Sequence, residues 1–431
     1  MTDLYHTNPL AQADARLPRL KEFLINAVAT ELQSQFTGRA QDREAVRRLL
    51  LKVYAGTPGG LSPELRDLVV DSALADLVGY GPLELLLPDQ EINEIMVNGA
   101  KQIFVERNGE LIETDVKFDN DEHLLRIIDR IVSPLGRRVD ADNPTADARL
   151  PDGSRVNIVI PPVAVDGPHV TIRKFLETKM TLTDLVSMNA LTPNMAKFLE
   201  ACVVTRLNVL VTGNTSSGKT TVLNALSGFI PDKERIVTIE DAVELKLKQR
   251  HVVRLETKLP NVDGSGAVSV RDLVRNALRM RPDRIVVGEV RGGEAMDMLQ
   301  AMNTGHTGSL TTLHSNSPRD AIARLETMAM MAGLDMPLHA IRKQIAAAVN
   351  LIVHLARLSD GSRKMTHITE LSGMEGEVVT LTDIFKFDQT GISPDGKIQG
   401  QLRPTGMRPM FTPRLEANGF KLGGEIFGAG F

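Results

Sequence analysis

Leu17, Leu20, Phe23, Leu24, Val28 and Leu32 recur at spacings of three and four, which places them on one face of a helix. Pro58-Gly59-Gly60 interrupts this charged, helical stretch. Ser62-Pro63-Glu64-Leu65 then has the chemistry of a helix start: a hydroxyl to accept a free N–H, and proline where no N–H is needed. Residues 1–60 are therefore expected to be a helical region. From 61 to about 175, helices mix with short strands. Ile103-Phe104-Val105-Glu106-Arg107, Asn108-Gly109 and Glu110-Leu111-Ile112 predict a hairpin, because Asn-Gly supplies the positive φ of a tight turn. Further strands are expected at 156–160 and 170–173, so 61–175 reads as an α+β domain.

Residues 176–184, LETKMTLTD, read as a polar linker. Beyond it, apolar strands at 209–212, 236–239, 284–287 and 309–313 alternate with helices, the pattern of βαβ units and a parallel sheet. From about 359 the chain changes to short strands and Gly/Pro-rich turns, a C-terminal extension of the same domain, 185–431. The fold class is α/β, preceded by the α+β and helical parts.

Composition narrows the field. At ~150 residues per domain the 431-residue chain has room for about three domains. The formal charge is 50 − 54 = −4, with 42% apolar and 24% charged residues, which excludes a disordered chain, a fibre, and a protein held to nucleic acid by bulk positive charge. One cysteine, Cys202, excludes a disulfide framework or a cysteine-built zinc site, and is expected to be a buried small hydrophobe. No run reaches the ~18 apolar residues of a membrane span; the best, 345–356, contains Asn350 and His354. The first twenty residues lack the apolar core of a signal peptide, so a soluble, cytoplasmic protein is expected.

The 209–212 strand runs into Gly213-Asn214-Thr215-Ser216-Ser217-Gly218-Lys219-Thr220-Thr221, a match to G-x-x-x-x-G-K-[ST], the P-loop. Small residues let the backbone wrap a phosphate with successive N–H groups facing it, and the following helix adds the positive end of its dipole. Lys219 is expected at the β- and γ-phosphates of ATP, and the Thr220 hydroxyl on Mg²⁺. Two strands end in acid: 236–239 in Glu240-Asp241, and 284–287 in Gly288-Glu289. A carboxylate there can orient or deprotonate the attacking water, or hold Mg²⁺ through water, and the sequence leaves open which of Glu240 and Glu289 does which. A third element, 304–314, carries His306 and His314 in a Gly/Thr-rich setting. An imidazole there can sense the γ-phosphate or bond a catalytic carboxylate.

These elements in this order resemble the type II/type IV secretion ATPase superfamily, the hexameric motors of pilus assembly and secretion. The resemblance covers about 60–430 and rests on the P-loop, the acidic box Ile239-Glu240-Asp241 with Glu244, the Gly-Glu form of Walker B in Val287-Gly288-Glu289-Val290-Arg291, and the histidine box ending at His314. It implies a RecA-like P-loop domain, ATP hydrolysis coupled to mechanical work, a homo-hexamer, and inner-membrane platform proteins as partners that hold it peripherally at the membrane. The N-terminus, Gly79-Tyr80-Gly81-Pro82-Leu83-Glu84, the 278–284 segment LRMRPDR and the 380–387 segment TLTDIFKF are similar to the tight-adherence (Tad/Flp) pilus ATPase. The retraction-motor arm has a histidine where this chain has Asn303. The resemblance also implies arginines that reach the nucleotide from the α+β domain; Arg149, Arg155 and Arg173 match by local context, Arg155 foremost. A planar guanidinium can meet the spread charge of a phosphoryl-transfer transition state bidentately.

Three other readings compete. A RecA-like helicase would need a basic track or stacking aromatics, and the charge is −4 with 4% aromatics and no tryptophan, so nucleic acid is not an expected partner. A non-hydrolysing scaffold would have no need of both Glu240 and Glu289. A type IV secretion ATPase delivering protein or DNA shares every motif, and the tail beyond 358 counts against it.

Overall fold

The computed structural model describes residues 16–35, 42–57, 61–107, 109–175, 180–258, 260 and 265–428. The Leu32 side chain, the Pro58-Gly59-Gly60 break, Asn108 of the expected hairpin turn and residues 176–179 of the expected linker lie outside the described residues. The chain divides into two compact units, Met1–Glu177 and Thr178–Phe431.

In the first unit, the helices Leu17–Gln35, Arg43–Ala55 and Pro63–Val78 share one core: Leu17, Leu24 and Val28 pack with Val46, Leu50, Val69, Val70, Ala73 and Leu74. Phe23, expected on the buried face, is 52% exposed. It precedes Leu24 by one residue and so points about 100° round the helix from it. Ser62 caps the third helix as expected, its Oγ accepting the Leu65 N–H. Because that helix packs on the first two, the expected boundary at residue 60 falls inside one hydrophobic cluster.

The second layer is a six-stranded antiparallel sheet of β1 (Ile92–Asn98), β2 (Gln102–Arg107), β3 (Glu110–Thr114), β4 (Thr145–Arg149), β5 (Arg155–Val159) and β6 (His169–Arg173), in the order β3-β2-β1-β6-β5-β4. Strand alternation turns Ile95, Val97, Val156, Ile158, Val170 and Ile172 toward the apolar face of the helix Asp121–Val132. A polar joint binds this helix to the helical cluster. The His123 ring is buried, with Nδ1 3.1 Å from Asp119 and Nε2 3.3 Å from Asp76, and Lys21 pairs with Asp76 at 2.6 Å.

The second unit holds a nine-stranded sheet: β7 (Val209–Gly213), β8 (Ile236–Glu240), β9 (Val252–Glu256), β10 (Arg284–Val287), β11 (Leu310–His314), β12 (Leu351–Arg357), β13 (Arg363–Glu375), β14 (Val378–Ile392) and β15 (Ile398–Pro404). The order is β15-β14-β13-β12-β7-β11-β10-β8-β9; β12 through β9 are parallel and β13–β15 antiparallel. This is a RecA-like α/β domain. β7, β8 and β10 are buried along their whole length, the signature of parallel strands covered on both faces.

Two expectations change here. The linker does not extend to 184: Thr181 and Asp184 form a capping box that starts the helix Leu182–Ser187, and Leu182 and Leu185 are buried. The tail is not made of short strands, since β13 and β14 have 13 and 15 residues. Gly373 and Gly391, which look like turn residues, sit at register shifts that bend these long strands without ending them. Cys202 is fully buried in the helix Pro193–Val204. Arg284, also fully buried, has its charge met by Glu234 at 2.6 Å and donates hydrogen bonds to the Gly308 and Val203 carbonyls.

Candidate nucleotide site

β7 ends in the P-loop, and the loop's shape depends on residues without bulk. Gly213 has φ +152°, and a Cβ there would lie 2.3 Å from the Leu355 carbonyl oxygen and 2.6 Å from Ser217 Oγ. Ser216 and Gly218 are also left-handed, and Gly218 directly precedes the helix Lys219–Ser227. Asn214, Thr215 and Ser216 are exposed, while Ser217 is buried, its Oγ donating to the Asn214 carbonyl. Thr220 and Thr221 continue the first helical turn. Loop and helix start together form a cradle that a phosphate group fits: a concave backbone, a helix N-terminus and a lysine.

The Lys219 side chain is largely buried. Its Nζ donates to the Asn214 carbonyl at 2.8 Å and lies 3.5 Å from His314 Nδ1. His314 ends β11, directly beside Gly213 in the sheet register. Its other nitrogen, Nε2, is 2.8 Å from Glu289 Oε1. Burial, opposed by Glu289 and reinforced by Lys219, pushes the His314 pKa below the usual histidine value, so its imidazole is neutral at pH 7. The other Glu289 oxygen accepts from Arg291 Nε at 2.8 Å. P-loop lysine, imidazole and carboxylate thus stand in a row, each within 3.5 Å of the next.

Glu240 occupies the neighbouring strand end. Its Oε2 accepts the N–H groups of Glu244 and Leu245 at 2.8 and 3.0 Å. A Cβ on Gly288 would come within 3.0 Å of Glu240 Cγ. Glycine before Glu289 is therefore explained by space: the Glu240 side chain passes where a larger residue would project.

Not every expected site residue is brought here. His306 precedes β11 at the end opposite His314, and the strand alone spans roughly 13 Å at ~3.3 Å per residue. It does not join the lysine–carboxylate line. Arg149, Arg155 and Arg173 lie in the first unit, where they are direct neighbours in register: Arg149 opposite Arg155, and Arg155 opposite Arg173. Arg173 also faces Glu94, at 3.7 Å. All three are on the sheet face away from the core. Like charges directly opposite one another on a strand pair are destabilising, and Glu94 offsets part of this row.

Two residues escaped the sequence reading. His354 sits on β12 beside β7, with Nδ1 2.8 Å from Thr212 Oγ1, and burial lowers its pKa to about 4. Only its place in an apolar run was visible beforehand. Arg363, which opens β13, donates from Nε to the Ser216 carbonyl at 2.9 Å. No spacing to the P-loop 147 residues earlier could have signalled that contact.

Among the described residues, no helix is long and apolar enough to cross a membrane. A protein of Mycobacterium tuberculosis named for conjugal transfer is 39% identical over 71% of this chain and 88% of its own length. The conjugal transfer protein TrbB of Rhizobium radiobacter is 33% identical over 67% of this chain and 86% of its own. Among solved structures, the VirB11 ATPase of the Brucella suis type IV secretion system, in complex with sulphate, is 30% identical; the match covers 67% of this chain and 95% of that one, with a TM-score of 0.38. The profile described as type II/IV secretion system protein matches residues 76–391, and the chain belongs to that family.

Proposed function

We propose that this chain is an ATP hydrolase that works as a ring-forming motor at the cytoplasmic face of the inner membrane. The line from Lys219 through His314 to Glu289 at the P-loop carries the reading. Bound Mg-ATP would supply the terminal phosphate to be cleaved and a metal to offset its charge. Lys219 exchanges the Asn214 carbonyl for the β- and γ-phosphates, Thr220 holds the metal, and Glu289 takes the proton of the attacking water. Glu240, one oxygen of which caps a turn, organises the metal's water. Neutral His314 stands beside Glu289 without competing with Lys219 for the phosphates. Arg155, with Arg149 and Arg173, meets transition-state charge, and six subunits complete the ring. Lys219→Ala should abolish phosphate release while leaving fold and assembly intact; near-wild-type turnover in that variant would sink the assignment.

For the machine it serves, the first reading is a tight-adherence pilus with inner-membrane platform proteins as partners. The segments at 79–84, 278–284 and 380–387 support it. The second is a type IV secretion ATPase, favoured by the relatives named for conjugal transfer. Affinity capture of the full chain from its own membranes separates them: a pilus platform protein supports the first, and a conjugation-channel component supports the second.

A further inference from the structure

β7 has two neighbours in the sheet, β11 and β12. Within this unit, the carboxylate and imidazole assigned to hydrolysis lie on the β11 side, where Glu289 and His314 converge. The β12 side carries an unassigned basic feature. β12 and β13 join through a tight hairpin closed by Leu358 and Ser362, and Arg357 and Arg363 face each other across it as register partners. β12 runs parallel to β7 with Leu355 beside Gly213, so Arg357 stands two residues beyond the P-loop's entry, past the carboxyl end of the sheet.

Among the described residues, no carboxylate pairs with either of these two arginines. Arg363 makes one contact among the described residues, from Nε to the Ser216 carbonyl, and both its terminal nitrogens are left over. Arg357 makes no hydrogen bond or ion pair among the described residues. The nearest acid in sequence, Asp360, is committed elsewhere. One of its oxygens accepts from Ser362 N and Oγ, the other accepts the Ile398 N–H, and these bonds hold its pKa down at about 2. The same carboxylate pins the hairpin tip to β15. Two exposed guanidiniums directly opposite each other, on a fixed support, repel one another unless an anion lies between or beside them.

We propose that Arg357 and Arg363 form a second anion grip, in the same subunit as the P-loop, for the inner phosphates of the bound nucleotide on the side away from Glu289. This rests on the nucleotide reading above. Arg363 has a double role: its Nε holds the left-handed Ser216 turn while its terminal nitrogens face the ligand. Arg357 contributes charge alone. Because the γ-phosphate belongs to the Glu289 side, the grip is made equally to ADP and ATP. It sets affinity and leaves the chemical step alone.

The test is isothermal titration of the full chain with unlabelled ADP and with a non-hydrolysable ATP analogue, beside steady-state phosphate release. Arg357→Ala is the cleaner variant, since it breaks no contact within the described residues. It should weaken both nucleotides by the same factor, about tenfold, or 1.4 kcal/mol. Its kcat at saturation should stay within about twofold of wild type, because uniform binding moves KM and not kcat. The affinity gap should narrow as salt is raised, as for exposed charges. Arg363→Ala should lose more affinity and Arg363→Lys recover part of it. Unchanged affinity in Arg357→Ala, or a fall in kcat with affinity intact, would overturn the proposal. If wild-type protein itself binds neither nucleotide, it is the nucleotide reading that fails, and this grip with it.

Discussion

The two sheets carry their charged residues in opposite ways. In the nine-stranded sheet of the second unit, the parallel strands end together, and their polar residues are linked: Lys219 to Asn214 and His314, His314 to Glu289, Glu289 to Arg291. In the six-stranded antiparallel sheet of the first unit, three arginines stand side by side across β4, β5 and β6 on the face away from the core. The first arrangement brings a concave backbone, a helix N-terminus and a lysine together within one unit. The second is a concentration of like charge, with Glu94 of the same sheet 3.7 Å from Arg173. Under the proposed function this difference would be a division of labour, with ground-state binding in the second unit and the arginines of the first acting as charge develops in the transition state.

The sharpest way to break this division is Arg155→Ala. Removing a guanidinium that acts in the transition state should lower kcat by about 10³-fold, the lower end for such arginines. A surface ion pair would instead be worth about 1 kcal/mol of stability and leave turnover alone. Phosphate release at saturating ATP distinguishes them, and an unchanged kcat would pass the role to Arg149 or Arg173. Glu289→Gln should lower kcat by at least ~10²-fold with ATP still bound, since the carboxylate acts on water. Loss of binding together with turnover would instead make Glu289 the metal's holder and Glu240 the base.

The smallest effect is confined to the first unit. Burial lowers the His123 pKa, but its bonds to Asp119 and Asp76 outweigh that, and the net shift is upward. The groups around it are Asp119, Asp76, Lys21, which pairs with Asp76, and Arg130, which donates to the Asp76 and Gly79 carbonyls. A raised folded pKa means the charged imidazole stabilises the fold fully below the unfolded value of about 6.5, and that contribution is lost as pH rises through the folded value. Thermal melting of the full chain across this window should show that decline, and His123→Gln should flatten it at a cost of about 1 kcal/mol below pH 6. Nucleotide affinity should not follow the same curve. If it did, the two units would not be separable in the way proposed.

Legibility in the sequence followed the range of the interactions. The P-loop and strand-end acids were readable because a phosphate cradle and a strand–acid junction are local patterns, and β7, β8, β10 and β11 lie within a residue of where apolar runs placed them. The capping box Thr181–Asp184 was equally local but was hidden by its polar composition. The sequence could not show that Arg149, Arg155 and Arg173 are neighbours, since that depends on the register of three strands. His306 and His314 looked equivalent along the chain, and only the direction of β11 separates them. His354 reaches Thr212, just before the P-loop, and Arg363 reaches Ser216 within it, each across well over a hundred residues, and such contacts leave no trace in spacing.

The central claim, that the first unit's arginines serve turnover and not binding, is tested most directly by titrating ADP into the full chain with Arg149, Arg155 and Arg173 all replaced by alanine. Circular dichroism and melting would first establish that the variant is folded. The account predicts an ADP affinity within about twofold of wild type, because interactions made only in the transition state leave ground-state binding untouched. A loss of about tenfold or more in the folded variant, 1.4 kcal/mol or beyond, would place these arginines on ground-state nucleotide and contradict the division between the two units.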